Sequence, residues 1–313
     1  MLWILLIMKL QSLRGKWHAT VMPALRRILR WAPLLMVILT VAVMGLRSIT
    51  ARAVTLVAGD SLPLTAIGYI VASALVLALY AVLCRLIERR RITELSRHTM
   101  AAATGKGLAT GFLLMTAAVA IMYIGGGYRI TSATPSFGLF WIFLYCLLTA
   151  VAEECVFRGA IYRITERSLG TTAAMAISAL IFGGAHILNP NASLWTSAAI
   201  AIEAGILFGA VYAHCGNLWV PIGIHWAWNF TEGRIWGLPV SGDLKATSLF
   251  HAETSGPELL TGGAFGPEAS LTVVVLCSLL SAYLIYDLHR TGRWIPFRGA
   301  RFLHGKTARH NIR

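Results

Sequence analysis

Three short patterns in this chain carry side chains that can move protons or stabilise charge. The first is Glu153-Glu154-Cys155-Val156-Phe157-Arg158. On a helix Glu154 and Arg158 are i,i+4 neighbours with the acid first, the favourable order. Glu153 lies about 100° further round the helix axis. One carboxylate can thus be neutralised by Arg158 while the other faces elsewhere. A carboxylate left unpaired in a cavity suits a general acid or base. The second pattern, Phe182-Gly183-Gly184-Ala185-His186, ends on an imidazole, another proton acceptor. The third, His225-Trp226-Ala227-Trp228-Asn229, puts a histidine and an amide on one helix face, where two donors can stabilise an oxyanion. Each has a plainer reading. A Glu-Arg pair can lock two helices together, and a histidine or asparagine can act as interhelical hydrogen-bond glue. The plain reading leaves the second glutamate without a task.

The elements that must position these groups are membrane helices. Of 313 residues, 57% are hydrophobic and 13% charged, with a mean hydropathy of +0.69. Soluble chains are about 45–50% apolar and about 25% charged, so a soluble domain, a disordered chain and a coiled coil are excluded. The expectation is an all-α polytopic bundle of about eight transmembrane helices with the active site inside it. The spans run over 31–46, 62–87, 107–124, 137–152, 170–188, 194–213, 218–230 and 271–288; the seventh is short enough to be tilted or partly buried.

The net charge of +14 would suggest nucleic acid in a soluble protein, but here the cations cluster in loops and tails between spans. With the N-terminus inside, 22 of the 27 Lys and Arg fall on the cytoplasmic side. Both termini are therefore expected in the cytoplasm, and no nucleic-acid partner is expected. Five widely spaced cysteines and no Cys-x-x-Cys pair argue against a disulfide framework or a cysteine-built zinc site. Five segments follow: a basic interfacial segment (1–30), N-terminal transmembrane helices (31–136), a core (137–230), an external loop expected to be mobile (231–270), and the last helix with its basic tail (271–313). Glu203 lies mid-span outside the three patterns and has no assigned role.

Taken together and in this order, the patterns resemble the CPBP family of intramembrane proteases, which includes the Rce1-type CAAX prenyl proteases. The family's Glu-Glu-x-x-x-Arg, Phe-x-x-x-His and His-x-x-x-Asn motifs stand here as Glu153/Glu154/Arg158, Phe182/His186 and His225/Asn229. The lead-in from Asn217 to Ile222 is similar too, and the likeness runs from about Leu139 to Phe230. It implies a multi-pass membrane endopeptidase, in the inner membrane if the source is bacterial, that acts on a membrane-embedded or lipid-anchored protein or peptide in the bilayer. Glu153 and His186 would activate a water, His225 and Asn229 would stabilise the oxyanion, and Glu154, Arg158 and Phe182 would support the site. The family is commonly labelled a metalloprotease, and Glu153, His186 and His225 offer three possible zinc ligands. No His-Glu-x-x-His helix is present. The favoured mechanism therefore needs no cofactor, with zinc as the alternative; a non-enzymatic binding or immunity protein, or a transporter, is the other competing reading. No Gly-x-Ser-x-Gly nucleophile exists, and Cys155 stands beside two acids that work against a thiolate. Because Glu153 closes the fourth predicted span, the cavity is expected to open toward the cytoplasm, with the site at intermediate depth, span four continuing past Glu154 and the fifth helix tilted or broken at Gly183-Gly184 to bring His186 to that depth.

Overall fold

The computed structural model describes residues 31–244 and 247–297. The expected interfacial segment 1–30 and the end of the basic tail lie outside these residues. Among the described residues, seven helices are long and apolar enough to cross a membrane. They are α1 (Ala32–Ala58), α2 (Leu62–Glu88), α3 (Met100–Ile124), α4 (Gly138–Leu169), α5 (Thr171–Leu188), α6 (Leu194–Cys215) and, last in the chain, Leu271–Arg290. Between the last two stands α7 (Trp219–Phe230), carried on by a widened, π-type turn, Thr231–Ile235. This is the short seventh span expected from the sequence, and most of its residues are buried. The last helix is α8 (Leu271–Arg290). The only strands among the described residues, β1 (Tyr128–Ala133) and β2 (Phe250–Thr254), form an antiparallel ribbon with a bulge between Ile130 and Ser132.

The ends of the helices gather into two faces. On the first, Leu218 N–H donates to Glu94 O, Thr171 N–H to Ile295 O, and the Arg293 guanidinium to His214 O. Asp287 accepts from Arg290 at 3.0 Å and from Arg293 at 2.6 Å. His214 belongs to the same group, its Nδ1 3.3 Å from Asp287 Oδ2. On the second face the connection after α7 folds over the helix ends. Thr134 N–H donates to Leu249 O, Asn189 Nδ2 to Ser241 O, and Trp195 Nε1 to Ala269 O. The expected mobile loop 231–270 is therefore a built cap, with a helical start, a strand and two short helical turns.

Glycines set how closely the helices that bear the site approach one another. A Cβ on Gly107 or Gly111 of α3 would run into the Val220 or Ile224 carbonyl oxygen of α7, and one on Gly183 of α5 into the Ser197 carbonyl oxygen of α6. The fifth helix is accordingly not broken at Gly183-Gly184. It runs unbroken to Ala185, and only the last turn, His186–Leu188, tightens to 3-10 geometry. The small residues serve close packing against α6 rather than a bend.

Candidate active site

The fourth helix continues through Glu153 to Leu169, so the glutamates stand mid-span and not at its end. Its pitch changes there: Leu147–Glu154 is α-helical and Cys155–Tyr162 is a widened π-type stretch. Such irregular turns recur at functional sites. Glu154 and Arg158 are both fully buried and joined at 2.9 Å. Arg158 also donates to the Ala204 carbonyl at 2.8 Å, and its guanidinium lies 4.7 Å from the Phe182 ring centroid and 4.9 Å from that of Phe208. Burying these charges is tolerable only because each finds partners. Phe182 thus packs on the cation that neutralises Glu154, and it also meets the His186 ring at 4.7 Å between centroids.

The other carboxylate is free to do something else. Glu153, with 17% of its side chain exposed, lines a cavity of about 420 Å³ together with His186, His225 and Asn229. Three helices, α4, α5 and α7, bring those four groups to one space. Glu153 Oε2 is 3.9 Å from His225 Nε2. His225 Nδ1 donates to Glu154 Oε1 at 3.0 Å, and His186 Nδ1 donates to the Phe182 carbonyl at 2.8 Å. A carboxylate and a carbonyl only accept, so each ring carries its proton on Nδ1 and turns Nε2 away from its support. Glu154 Oε1 thereby accepts from both Arg158 and His225. All three motif supports named from the sequence touch the cavity residues or one another.

Several lining residues were not foreseen. Ser241 and Glu268 come from the cap, and Arg47 comes from α1. Glu268 is buried and accepts from the Ser241 N–H at 2.7 Å and from its Oγ–H at 2.6 Å. Burial pushes its carboxyl above the usual range, against the pull of the Ser241 bonds and the nearby His186. The acidic content of the connection was its only sequence signal. Cys155 is fully buried and does not line the cavity, so it is no nucleophile there. Glu203 is 1% exposed, and neither of its oxygens has a hydrogen-bond partner; nothing in the structure assigns it a task.

The imidazole orientation suits metal binding, since Nε2 is left as a lone pair and Nδ1 is held by a second partner. Sharing a cavity is not sharing a coordination point, however. Zinc needs its ligands at about 2.0–2.2 Å around one point, and no three His, Cys, Asp or Glu side chains among the described residues meet that demand. Glu153, His186 and His225 as arranged do not fit the ion, and no step below is routed through one.

The cavity's loop-derived walls, Val240, Ser241, Asp243 and Glu268, all belong to the cap on the second face. They close it on the cap side, and neither Arg163 nor Arg167, at the other end of α4, lines it.

No curated protein and no solved structure matches the chain. Residues 135–231, about a third of its length, match the family model described as type II CAAX prenyl endopeptidase Rce1-like. That stretch contains every helix turn that carries Glu153, His186, His225 and Asn229, and over it this multi-pass membrane protein is similar to the Rce1-like CAAX-type endopeptidases.

Proposed function

We propose that the chain hydrolyses a peptide bond of a membrane-associated protein or peptide with a water activated by Glu153 and His186. The observation that carries this is the convergence of Glu153, His186, His225 and Asn229 on one cavity, with Glu154 committed to Arg158 and His225 and so unavailable as a base. Peptide hydrolysis needs a proton acceptor, an oxyanion stabiliser and a proton donor for the departing amine.

In this reading a water sits between Glu153 and His186. Glu153 takes one of its protons, and His186 Nε2 accepts a hydrogen bond from the other and fixes its direction. The water oxygen bonds to the scissile carbonyl carbon, and the carbonyl oxygen takes the negative charge. Asn229 Nδ2–H donates to that oxyanion in any protonation state. His225 contributes through Nε2 only as the imidazolium, because Nδ1–H is already given to Glu154. When the tetrahedral carbon collapses, the C–N bond breaks and the Glu153 carboxylic acid returns its proton to the leaving nitrogen. Glu154, Arg158 and Phe182 act at one remove, holding the His225 and His186 rings.

The test compares membrane proteomes of cells carrying the wild-type chain and Glu153→Gln. The substituted amide keeps the shape of the side chain but cannot take a proton, so cleaved fragments should vanish while the variant accumulates to the same level. Losing a general base typically costs about 10²–10⁴-fold. Persistence of the same fragments at undiminished rate would refute the role. Activity that dies on exhaustive chelation and returns with zinc alone would replace the glutamate-water reading by the metal alternative.

A further inference from the structure

The cavity is lined from one end of the bundle. Arg47 on α1, Tyr69 on α2, Thr149 on α4, His186 on α5, Ile200 on α6 and Asn229 on α7 all lie in the half of their helix nearest the cap. The deepest lining residues, Glu153, Phe208 and His225, stand near the helix midpoints. No described residue from the turns of the first face, 84–100, 163–171, 211–219 or 287–297, lines it. That end is plugged by charge pairs instead. Arg163 meets Glu88 at 2.6 Å, Arg90 donates to Glu94 at 2.8 Å, and Tyr80 Oη lies 2.8 Å from the Gly159 carbonyl, one residue beyond Arg158.

The two faces differ as sharply in cations. By sequence position, 21 of the 27 Lys and Arg belong to the segments and helix ends on the plugged side and Arg158 stands mid-span; the capped side keeps Arg47, Arg52, Arg129, Arg234 and Lys245. A Lys/Arg excess in short loops marks the cytoplasmic side. The plugged, cation-rich end therefore belongs in the cytoplasm and the capped end, from which the cavity is lined, on the opposite side. Resting on the endopeptidase reading above, we propose that this enzyme cleaves at the non-cytoplasmic surface of its membrane: its substrates are peptide segments tethered to the bilayer whose scissile bond has already been translocated. A lipidated C-terminus kept on the cytoplasmic leaflet would meet only the plugged face.

Three single-cysteine variants of the full chain, each made with its five native cysteines replaced by serine, test this in intact cells with a membrane-impermeant maleimide. Asp60→Cys marks the capped face, Val240→Cys the cavity wall on the cap, and Arg97→Cys the plugged face; none of the three is given a step in the proposed chemistry. Positions 60 and 240 should be labelled in intact cells, and position 97 at least about tenfold less until the cells are opened. Labelling of 97 with protection of 60 and 240 would overturn the proposal, and so would labelling of 60 with 240 reached only after lysis. Should the serine background fail to fold, an epitope tag at the C-terminus of the native chain replaces it; the tag should resist external protease in intact cells, and its digestion there would overturn the orientation. Neither readout needs hydrolysis. A failed Glu153→Gln comparison with the expected labelling would remove the chemistry and leave the sidedness, and reversed labelling with fragments lost in Glu153→Gln would do the converse.

Discussion

Replacing Arg158 by Met isolates the brace beneath the site. Arg158 and Glu154 are both 0% exposed and 2.9 Å apart, with no water-facing surface on either side chain. Met fills much of the aliphatic volume but removes the charge, the bond to Ala204 O and the face-on contacts with Phe182 and Phe208. Glu154 keeps only the His225 Nδ1–H bond. Breaking a buried pair from one side costs about 3–5 kcal/mol, because the stranded charge dominates the loss. Removing both charges together, in Glu154→Gln with Arg158→Met, should cost far less than the single change, since no ion is left behind. The amide introduced by Glu154→Gln retains a carbonyl oxygen that can accept from His225 Nδ1–H, so the ring should keep its orientation. The assay is reversible unfolding of the full chain in a fixed detergent mixture, run as a double-mutant cycle. A coupling energy of at least about 1.5 kcal/mol is expected, with the double variant more stable than Arg158→Met alone. Coupling near zero, or a double variant less stable than the single one, would refute the claim that uncompensated charge governs this cluster.

Asn229→Ala removes a proposed oxyanion donor that does not depend on protonation, so cleavage should slow by about 10²–10³-fold with no loss of folded protein; a change under threefold would take Asn229 out of the mechanism. Gly111→Ala puts a methyl against the Ile224 carbonyl of α7, where backbone cannot yield. Overpacking of about 1–3 kcal/mol is expected, with activity falling because His225 and Asn229 ride on that helix; Gly45→Ala, which meets nothing within 4 Å, is the control and should be silent in both assays. Glu94, on the plugged face, gives an acid-side test. Burial opposes its ionisation, but the bonds from Arg90 and Tyr80 and the charge of Arg90 outweigh it and hold the carboxyl below its usual range. A depressed folded pKa adds stability above the unfolded value, about 4.3, and loses it as pH falls through the folded one. Glu94→Gln should therefore flatten part of the decline in unfolding free energy below about pH 4.3; an unchanged slope there would mean the pair does not titrate as described.

What the sequence disclosed and what it withheld divide along physical lines. Apolar runs of spanning length announce themselves because lipid demands them, and the short seventh span was visible as a run too brief to be ordinary. The Glu154–Arg158 pair was legible from i,i+4 spacing alone. The cap was not. Its residues are held by hydrogen bonds to distant partners, such as Asn189 to Ser241 and Trp195 to Ala269, and long-range pairing of polar loops leaves no periodicity to read. Gly and Pro in that stretch suggested mobility, whereas several of the glycines stand at positive φ, as at Gly242 and Gly262, where a side chain would strain a fixed turn. Glu268 was hidden for the same reason: it acquires a neighbourhood only when the cap closes. The fourth span, expected to continue past Glu154 so that Glu153 and His186 share one depth, does continue. The helix in fact carries Glu153, Glu154 and Arg158 through mid-membrane.

That continuation exposes the logic of the site. Three charges in the middle of a span are costly unless other helices supply partners, and here the partners do unequal work. Arg158 and His225 both bond Glu154 Oε1, and the carboxylate has no exposed surface left to meet a ligand. Glu153 has no such tie among the hydrogen bonds of the motifs and keeps its 17% exposure inside the cavity. The paired residues therefore make it possible for a neighbouring acid to sit at membrane depth, facing a space large enough for a peptide carbonyl and a water. A structural ion cluster would gain nothing from that second glutamate. Nor would it need two imidazoles whose Nδ1 protons are already bound and whose Nε2 atoms are not. The asymmetry between Glu153 and Glu154, adjacent in sequence and opposite in environment, is the strongest argument that this bundle is arranged for hydrolysis rather than for packing alone.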